Sequence, residues 1–307
     1  MTVVVKIGGA RAVEPGGALA DVAALVAEGE QVVVVHGGST AVDDHLEALG
    51  ETPEYVETPA GVVGRFTDER TMEIFEMVFG GLNTDLVAGL RAAGADAIGL
   101  SGVDGGLLTG SRKSAVRVIE DGKRKIRRGD HSGTIERVDA ELLATLLDGG
   151  YTPVVTLPML AADGTPVNAD ADRAAAAVAG ALGATLVVLT DVPGILADPD
   201  DPATVIERAE TPAEFERVEA AAEGFMTRKV MAAREAIDGG ARAVVVADAG
   251  GERPVRAALD DGGTRIEPSA LVDAGSASEG AGADADSSGA TSEGDETTAN
   301  EATESDA

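Results

Sequence analysis

The stretch Met1-Thr-Val-Val-Val-Lys-Ile-Gly-Gly9 decides the fold. Its β-branched apolar residues predict a buried strand, and the paired glycines Gly8 and Gly9 free the backbone before a helix-forming segment. Backbone N–H groups in such a turn can approach an anion closely. Lys6 then either adds a charge that neutralises phosphate or is a strand-end lysine that extends to solvent.

A second strand of the same kind follows. Gln31-Val-Val-Val-Val-His36 is apolar and ends in Gly37-Gly38, before a segment from Ser39 that predicts a helix. The apolar spacing between about Gly17 and Glu28 predicts a helix that joins the two strands. Strands that alternate with helices and are apolar on both faces predict a parallel sheet, with ligands bound beyond the carboxyl ends of its strands.

The composition excludes several classes of partner. A net charge of −30 and a pI near 4.3 argue against nucleic acid, because phosphate backbones require a basic surface. This acidity is typical of a halophile, in which salt screens the surface charge. No apolar run approaches the ~20 residues that span a bilayer. We therefore expect a cytoplasmic protein without a membrane partner.

The rare residue types are also informative. The sequence has no cysteine and three histidines, which excludes thiolate sites and makes a structural zinc site improbable. No protein-held metal is expected, and His36 is predicted to be a packing residue at the end of its strand. Only five lysines occur, and these are better placed for chemistry than for solvation: Lys6, Lys113, Lys123, Lys125 and Lys229.

The last part of the chain differs in character. Residues 271–307 hold ten acids and no base. Such a segment cannot bury enough apolar surface to offset its ordering entropy. We expect a domain over 1–270, divided at about residue 168 into two lobes, and a disordered acidic tail over 271–307.

Between the strands, local signals predict further elements. Thr67 or Asp68 can begin a helix to about Phe79, a separate helix is expected from Asn83 to Ala93, and 102–133 is irregular, with a hairpin near Asp121-Gly122.

The glycine turns suggest a phosphate site. The candidate anion-facing elements are Lys6 with Gly8-Gly9, Gly37-Gly38, Asn168 to Asp170 at a helix start, and Gly224 to Lys229. Together they suit phosphoryl transfer, in which catalysis consists of positioning and neutralising charge.

Six motifs, in this order, resemble the signatures of amino acid kinases. They are Lys6-Ile-Gly-Gly9, Val35-His-Gly-Gly38, Gly64-Arg-Phe-Thr67, Val167-Asn-Ala-Asp170, Thr190-Asp-Val-Pro-Gly-Ile195 and Gly224-Phe-Met-Thr-Arg-Lys229. The resemblance covers about residues 1–270 and is strongest to N-acetylglutamate kinases. It implies a three-layer αβα sandwich around a mainly parallel sheet, with the acyl substrate on the N-terminal lobe and ATP on the C-terminal lobe.

The resemblance also assigns roles to residues. Lys6 and Lys229 would flank the transferring phosphoryl group, and Asp170 would orient both lysines. The substrate would be held by Gly37, Gly38, Arg65 and Asn168. The nucleotide would be framed by Gly8, Gly9, Asp191, Gly194, Leu196, Gly224 and Met226, with Mg²⁺ bridging its phosphates. Two positions depart from the family pattern: Ser39 replaces a third glycine, and Pro166 replaces an asparagine.

A basic segment stands out in this acidic chain. Residues 112–128 hold eight of the 24 basic residues, and only Glu120 and Asp121 oppose them. The segment is either an internally paired hairpin or a docking site for an acidic macromolecule. It resembles an insertion in kinases whose substrate is attached to the small acidic carrier protein LysW. The docking cations would be Lys123, Arg124, Lys125, Arg127 and Arg128.

The sequence thus predicts an ATP-dependent kinase that phosphorylates the side-chain carboxylate of carrier-linked glutamate or 2-aminoadipate, in arginine or lysine biosynthesis. A homodimer or higher homo-oligomer is expected. The alternatives are a free N-acetylglutamate kinase, another carboxylate or carbamate kinase, and a non-catalytic sensor of amino acids or nucleotides on the same fold. The retained lysines argue against a sensor, which does not need groups that stabilise a transition state.

Overall fold

The opening strand lies at the centre of the molecule. The computed structural model describes residues 1–8, 16–59, 63–120 and 122–272, except the side chain of Phe225. Within these ranges the strands are β1 (Thr2–Ile7), β2 (Gln31–His36), β3 (Tyr55–Glu57), β4 (Val63–Arg65), β5 (Ala97–Gly102), β6 (Leu108–Glu120), β7 (Lys123–Val138), β8 (Thr152–Ala161), β9 (Pro166–Val167), β10 (Thr185–Thr190), β11 (Arg208–Ala209), β12 (Ala243–Asp248) and β13 (Thr264–Ile266).

The helices cover both faces of the sheet that these strands form. They are α1 (Gly16–Ala27), α2 (Ser39–Ala48), α3 (Glu69–Ala92), α4 (Ala140–Asp148), α5 (Ala171–Leu182), α6 (Pro212–Ala221), α7 (Phe225–Asp238) and α8 (Pro254–Leu259). Three short 3-10 turns complete the described elements, at Asp104–Gly106, Pro202–Thr204 and Pro268–Leu271.

Eleven strands of the described chain form one sheet, in the order β11-β13-β12-β10-β1-β2-β8-β6-β7, with β5 and β9 also paired to β8. β1 lies parallel to β2 on one side and to β10 on the other. The antiparallel pairs in this sheet are β6 with β7, β8 with β9, and β12 with β13. β3 and β4 form a separate hairpin.

Alternation along β1 assigns its side chains to two layers. Val3 and Val5 pack with residues of α1 and α8, whereas Val4 packs with residues of α5 and α7. Because successive side chains of a strand point to opposite faces, Lys6 lies on the Val4 side, toward α5 and α7. The predicted αβα sandwich with a mainly parallel sheet is confirmed.

Two local predictions were wrong. One continuous helix, α3, replaces the two helices predicted on either side of Gly80-Gly81. Both glycines are exposed, and the buried residues before and after them, such as Phe75 and Leu86, hold the helix against the core. The Asp68 side chain caps α3 by accepting from the Thr71 N–H, as predicted.

The segment 102–133 is also more regular than its sequence suggests. It contains β6 and most of β7, which pair from Leu108 and Val138 to the tip at Glu120 and Lys123. Their polar residues point to both sides, so the sequence shows no alternation. Backbone pairing keeps the strands together, and Val118 of β6 packs in an apolar cluster with Val56 and Phe66. The hairpin turn is where we predicted it, with Gly122 at a φ of 70°.

Helix caps follow the sequence signals closely. Asp170 caps α5 by accepting from the Asp172 and Arg173 N–H groups, and Gly183 ends the helix in the left-handed region. Thr211 and Glu214 form a capping box at the start of α6, where a capping residue followed by Pro212 is typical of a helix start. The predicted acidic tail lies outside the described residues, except Leu271 and Val272 at its start.

Candidate active site

Two lysines, one buried and one mostly buried, share one carboxylate at the carboxyl ends of the central strands. Lys6 Nζ lies 2.6 Å from Asp172 Oδ1, and Lys229 Nζ lies 3.2 Å from Asp172 Oδ2. Lys6 is only 5% exposed, which excludes the alternative of a strand-end lysine extended to solvent. Lys6 and Lys229, distant in sequence, thus lie together on Asp172.

The fold positions each member of this triad separately. β1 directs Lys6 toward α5 and α7, and Asp172 lies in the first turn of α5. α7 begins after Gly224, whose φ of 55° favours glycine, and this places Lys229 beside the start of α5. The two helices approach closely because Gly180 has no side chain: a Cβ there would lie 2.9 Å from the Gly239 carbonyl oxygen.

Burial and the neighbouring charges together set the pKa values of Asp172 and Lys229. Burial pushes the pKa of Asp172 up, but the charges of Lys6 and Lys229 outweigh that effect and leave this pKa below its usual value. For Lys229, burial and the neighbouring charge of Lys6 hold the pKa below its usual value, although Asp172 opposes them. The site thus keeps two cations together with one anion.

The predicted role of Asp170 needs correction. We expected this residue to orient both lysines, but the carboxylate that contacts them is Asp172. Asp170 instead caps α5, and its Oδ2 lies 3.8 Å from Arg228 Nη1. The reason is helical geometry: the residue before the helix turns its oxygen to the free N–H groups, whereas the residue two positions later projects sideways to the lysines.

A cleft of about 1350 Å³ opens beside the triad. Its lining brings together, from the predicted residues, Lys6, Gly8, Gly37, Gly38, Arg65, Asn168, Asp170, Asp191, Met226 and Lys229. A Cβ at Gly38 would lie 2.5 Å from Leu82 Cδ1, so a side chain there would require Leu82 to shift. Gly9 lies outside the described residues.

Arg65 is held at the substrate side of the cleft. Its Nη2 lies 3.0 Å from Asp43 Oδ1 and donates to the Ser39 carbonyl and the Tyr55 hydroxyl, at 2.8 and 3.1 Å. The side chain is 6% exposed. Nη1 is buried and has no hydrogen-bond partner among the described residues. Arg65 therefore has a free donor with which to bind a carboxylate in the cleft.

Asn168 is fixed from two sides. Its Nδ2 donates to Thr67 Oγ1 at 3.1 Å, and its backbone exchanges hydrogen bonds with His131 and Gly133 of β7. Below it, the buried Asp130 accepts from the Thr67 N–H and the Ser132 hydroxyl. This network joins the hairpin of β6 and β7, which carries the basic segment and is called the basic hairpin below, to the cleft. The sequence did not indicate the network, because its members are far apart in the chain.

The residues that we predicted to frame the nucleotide fall into two groups, those that line the cleft and those that lie behind its surface. Asp191, which accepts from the Thr190 hydroxyl at 3.1 Å, and Met226 line the cleft. Gly194 and Leu196 lie behind this surface. A Cβ at Gly194 would lie 2.8 Å from Thr264 Oγ1, and Leu196 forms a β-bridge with Val205.

The basic hairpin is only partly paired internally. Arg127 forms an ion pair with Glu54 and lies over the Phe66 ring, 4.1 Å from its centroid, and Lys125 pairs with Glu120 at 2.9 Å. No ion pair forms at the other exposed cations of the hairpin tip within the described chain: Lys123, Arg124 and Arg128. The same is true of two exposed cations of β6 that line the cleft: Lys113 and Arg117.

The described residues contain neither a candidate metal cluster nor a candidate membrane span. No cluster of histidine and acidic side chains suited to a metal ion occurs in them. None of their helices combines the length and the apolar character needed to cross a bilayer.

Comparisons with known proteins agree with this geometry. Residues 1–248 match the model of the Amino acid kinase family. The [LysW]-aminoadipate kinase of Thermus thermophilus is 47% identical over 271 residues, which cover 86% of this chain and 99% of that protein. The acetylglutamate kinase of Methanopyrus kandleri is 43% identical over 247 residues, with coverage of 79% and 93%.

A solved structure extends the comparison. The N-acetylglutamate synthase of Neisseria gonorrhoeae, complexed with coenzyme A and N-acetyl-glutamate, superimposes with a TM-score of 0.70 at 25% identity, over 87% of this chain and 59% of that one. The fold, the paired lysines and the family match lead to one conclusion. The chain belongs to the amino acid kinase family.

Proposed function

We propose that this protein transfers the γ-phosphoryl group of ATP to the side-chain carboxylate of 2-aminoadipate, glutamate or both, carried on a LysW-type acidic protein. The product is an acyl phosphate in lysine or arginine biosynthesis. One observation carries the proposal: Lys6 and Lys229 converge on Asp172 at the edge of a large cleft. Two held cations are suited to charge that spreads over phosphoryl oxygens during transfer.

In this proposal a carboxylate oxygen of the substrate attacks the γ-phosphorus as the bond to the bridging oxygen of ADP breaks. Lys6 and Lys229 neutralise the charge on the transferring group from two sides. Asp172 keeps both ammonium groups in place before ATP arrives, because it offsets their mutual repulsion. Mg²⁺, bound mainly through ATP phosphates, would supply further charge neutralisation.

The substrate lies on the side of β2 and the β3–β4 hairpin. Arg65 binds the other carboxylate of the substrate through its free Nη1, and Asn168 holds its backbone-like end. Gly37 and Gly38 contribute N–H groups. The nucleotide lies on the opposite side, against Gly8 and the segments that contain Asp191, Gly194, Leu196, Gly224 and Met226. The division of the domain near residue 168 corresponds to these two sides.

The carrier docks on the basic hairpin. Lys123, Arg124 and Arg128 are exposed and open to an acidic partner, and Lys113 and Arg117 continue the positive surface along β6 into the cleft. Such a path suits a substrate that enters at the end of an acidic protein. Lys125 and Arg127 belong to the same surface, although each already has an acidic neighbour.

Similarity favours the carrier-linked substrate. The relative named a [LysW]-aminoadipate kinase covers more of this chain than the acetylglutamate kinase does, 86% against 79%. The basic hairpin favours a carrier-linked substrate independently, since a free acyl amino acid needs no docking surface. We further propose a halophilic, cytoplasmic protein that assembles as a homodimer or larger homo-oligomer.

Trapping the product tests the proposal. The protein is incubated with ATP, Mg²⁺ and hydroxylamine, which converts an acyl phosphate to a hydroxamate. Carrier-linked aminoadipate, carrier-linked glutamate and free N-acetylglutamate are compared. Hydroxamate from a carrier-linked substrate alone is the expected result. Product only from free N-acetylglutamate would show an acetylglutamate kinase, and nucleotide binding without any product would show a sensor.

A further inference from the structure

His36 has a buried hydrogen-bonding arrangement that the proposed chemistry does not use. The side chain ends β2, directly before Gly37, is 2% exposed, and stacks on Phe79 with ring centroids 6.0 Å apart. Its Nε2 lies 3.2 Å from Asn83 Nδ2, and its Nδ1 lies 3.0 Å from the Gly37 carbonyl oxygen. Simple packing, the role expected from the sequence, accounts for the ring but not for both nitrogen contacts.

The surroundings of Asn83 determine which nitrogen of His36 carries the proton. Asn83 Nδ2 also donates to the Val154 carbonyl at 2.9 Å. A flipped amide would place its oxygen against that carbonyl, so the NH₂ group must face both Val154 and His36. His36 Nε2 is therefore an acceptor, and the proton is on Nδ1, which donates to the Gly37 carbonyl. Burial lowers the pKa of His36 to about 4, although the bond to Gly37 opposes this, so the ring is neutral near pH 7.

The Gly37 carbonyl is linked to the cleft through its own peptide. The Gly37–Gly38 peptide bond is trans. In a trans peptide the C=O and N–H groups point in opposite directions. With the carbonyl held toward His36, the Gly38 N–H points away from the core, and no acceptor for it lies among the described residues. Gly38 itself lines the cleft.

We propose that His36 is a positioning residue that holds the Gly37 carbonyl and thereby presents the Gly38 N–H to an anionic oxygen in the cleft. The inference rests on the proposed function, which puts a substrate or phosphoryl oxygen at this loop. Asn83 completes the arrangement by fixing the tautomer. Hydrogen bonds to a charged group are the strong ones, so the direction of a single N–H matters for the rate.

The tautomer is measured first, by ¹⁵N NMR of the wild-type protein, and this measurement does not depend on activity. The chain has three histidines, so His36→Phe assigns the signal. A neutral ring protonated on Nδ1 from pH 6 to pH 9 is expected. A ring protonated on Nε2, or one that titrates with an ordinary histidine pKa, would overturn the proposal.

Three variants then test the consequence for catalysis. His36→Phe keeps the ring but removes the donor, and should lower kcat/KM for the acyl substrate about tenfold or more, the effect of one lost hydrogen bond to a charged group. The KM for ATP should change little. His36→Asn, which can donate to the same carbonyl, should recover most of the loss. Phe79→Leu removes the ring that stacks on His36 and on Phe75 but leaves both nitrogen contacts of His36 in place, and equal losses in Phe79→Leu and His36→Phe would show that His36 only packs.

Should the wild-type protein phosphorylate none of the acyl substrates, the proposed function fails while the NMR result still stands. Should it be active but insensitive to His36→Phe, with thermal unfolding confirming that the variant is folded, only the positioning role fails. The two failures are therefore distinguishable.

Discussion

Two groups of cations in this acidic protein differ in burial, in position and in ion pairing. Lys6 is buried and Lys229 is mostly buried, and the two lie on different elements and share one carboxylate. Lys123, Arg124 and Arg128 are exposed on one hairpin and have no ion pair within the described residues. A buried cation acts strongly over a short distance because little water screens it, whereas an exposed one acts weakly but can meet a large partner. We infer that the first group performs chemistry and the second performs recognition.

Removing a buried lysine should have the largest effect. Lys6→Ala and Lys229→Ala should each lower kcat by about 10²–10³-fold, as losing one group that stabilises transition-state charge does. The KM for ATP should rise much less, because these charges act mainly on the transferring group. Steady-state kinetics with saturating carrier-linked substrate measure both constants. Near-normal turnover in either variant would remove that lysine from the proposed mechanism.

Changing the shared carboxylate should have the next largest effect. Asp172→Asn leaves two buried cations without their anion and should lower kcat about 10- to 100-fold. The matched control is Asp170→Asn, which keeps a capping side chain on α5 and should lower kcat less. If Asp170→Asn were the more damaging change, Asp170 would orient the lysines after all.

The pH dependence of the same pair gives a separate prediction. The pKa of Lys229 is below its usual value, so activity that needs its charge is lost at lower pH than for an ordinary lysine. Asp172 opposes this shift. In Asp172→Asn the pKa of Lys229 therefore falls further, and the alkaline limb of the kcat profile should move to lower pH. A limb that stays in place would show that another group titrates there.

The sequence predicted the central sheet and most of the cleft, because both depend on local signals. Valine-rich strands that end in glycine turns identified β1 and β2, and helix caps located α5 and α6. The single helix α3 and the long strands β6 and β7 could not be predicted. Their regularity comes from packing and backbone pairing with distant segments, which outweigh glycine and polar residues within them.

For the site, motifs predicted which elements converge but not which atoms touch. Asp170 and Asp172 are two residues apart, and only the start of α5 decides which carboxylate caps the helix and which reaches the lysines. The spacing Asp-Ala-Asp at a helix start is a signal for this division of roles. His36 was read as packing because a histidine in an apolar strand shows nothing of its hydrogen-bond partners.

Reversing exposed cations should affect binding rather than turnover. Changing Lys123, Arg124 and Arg128 to glutamate should raise the KM for the carrier-linked substrate about tenfold and leave kcat and the KM for ATP nearly unchanged. Salt dependence is a weak test at molar salt, since the Debye length is only ~3 Å at 1 M. A matched control reverses three exposed arginines that do not line the cleft: Arg217, Arg242 and Arg253. Equal effects in both triple variants would show that net charge, not the hairpin surface, matters.

Replacing Arg127 should have the smallest effect on carrier binding, and it tests whether a paired cation of the hairpin also contacts the carrier. It was predicted to dock the carrier, but it pairs with Glu54 and lies over Phe66. Arg127→Ala should raise the carrier KM less than Arg124→Ala does, and should lower the free energy of unfolding by about 1 kcal/mol. Chemical denaturation measures the second quantity. A carrier KM that rises more in Arg127→Ala than in Arg124→Ala would place Arg127 in the interface.

The separation of chemistry from recognition is tested most directly by a double-mutant cycle on kcat/KM for carrier-linked aminoadipate. The cycle combines Asp172→Asn with the triple reversal of Lys123, Arg124 and Arg128. If the two regions act independently, their effects on the transition-state free energy add to within about 0.5 kcal/mol. A coupling energy well above that value would contradict the account, because it would show that the hairpin and the lysine pair act as one unit.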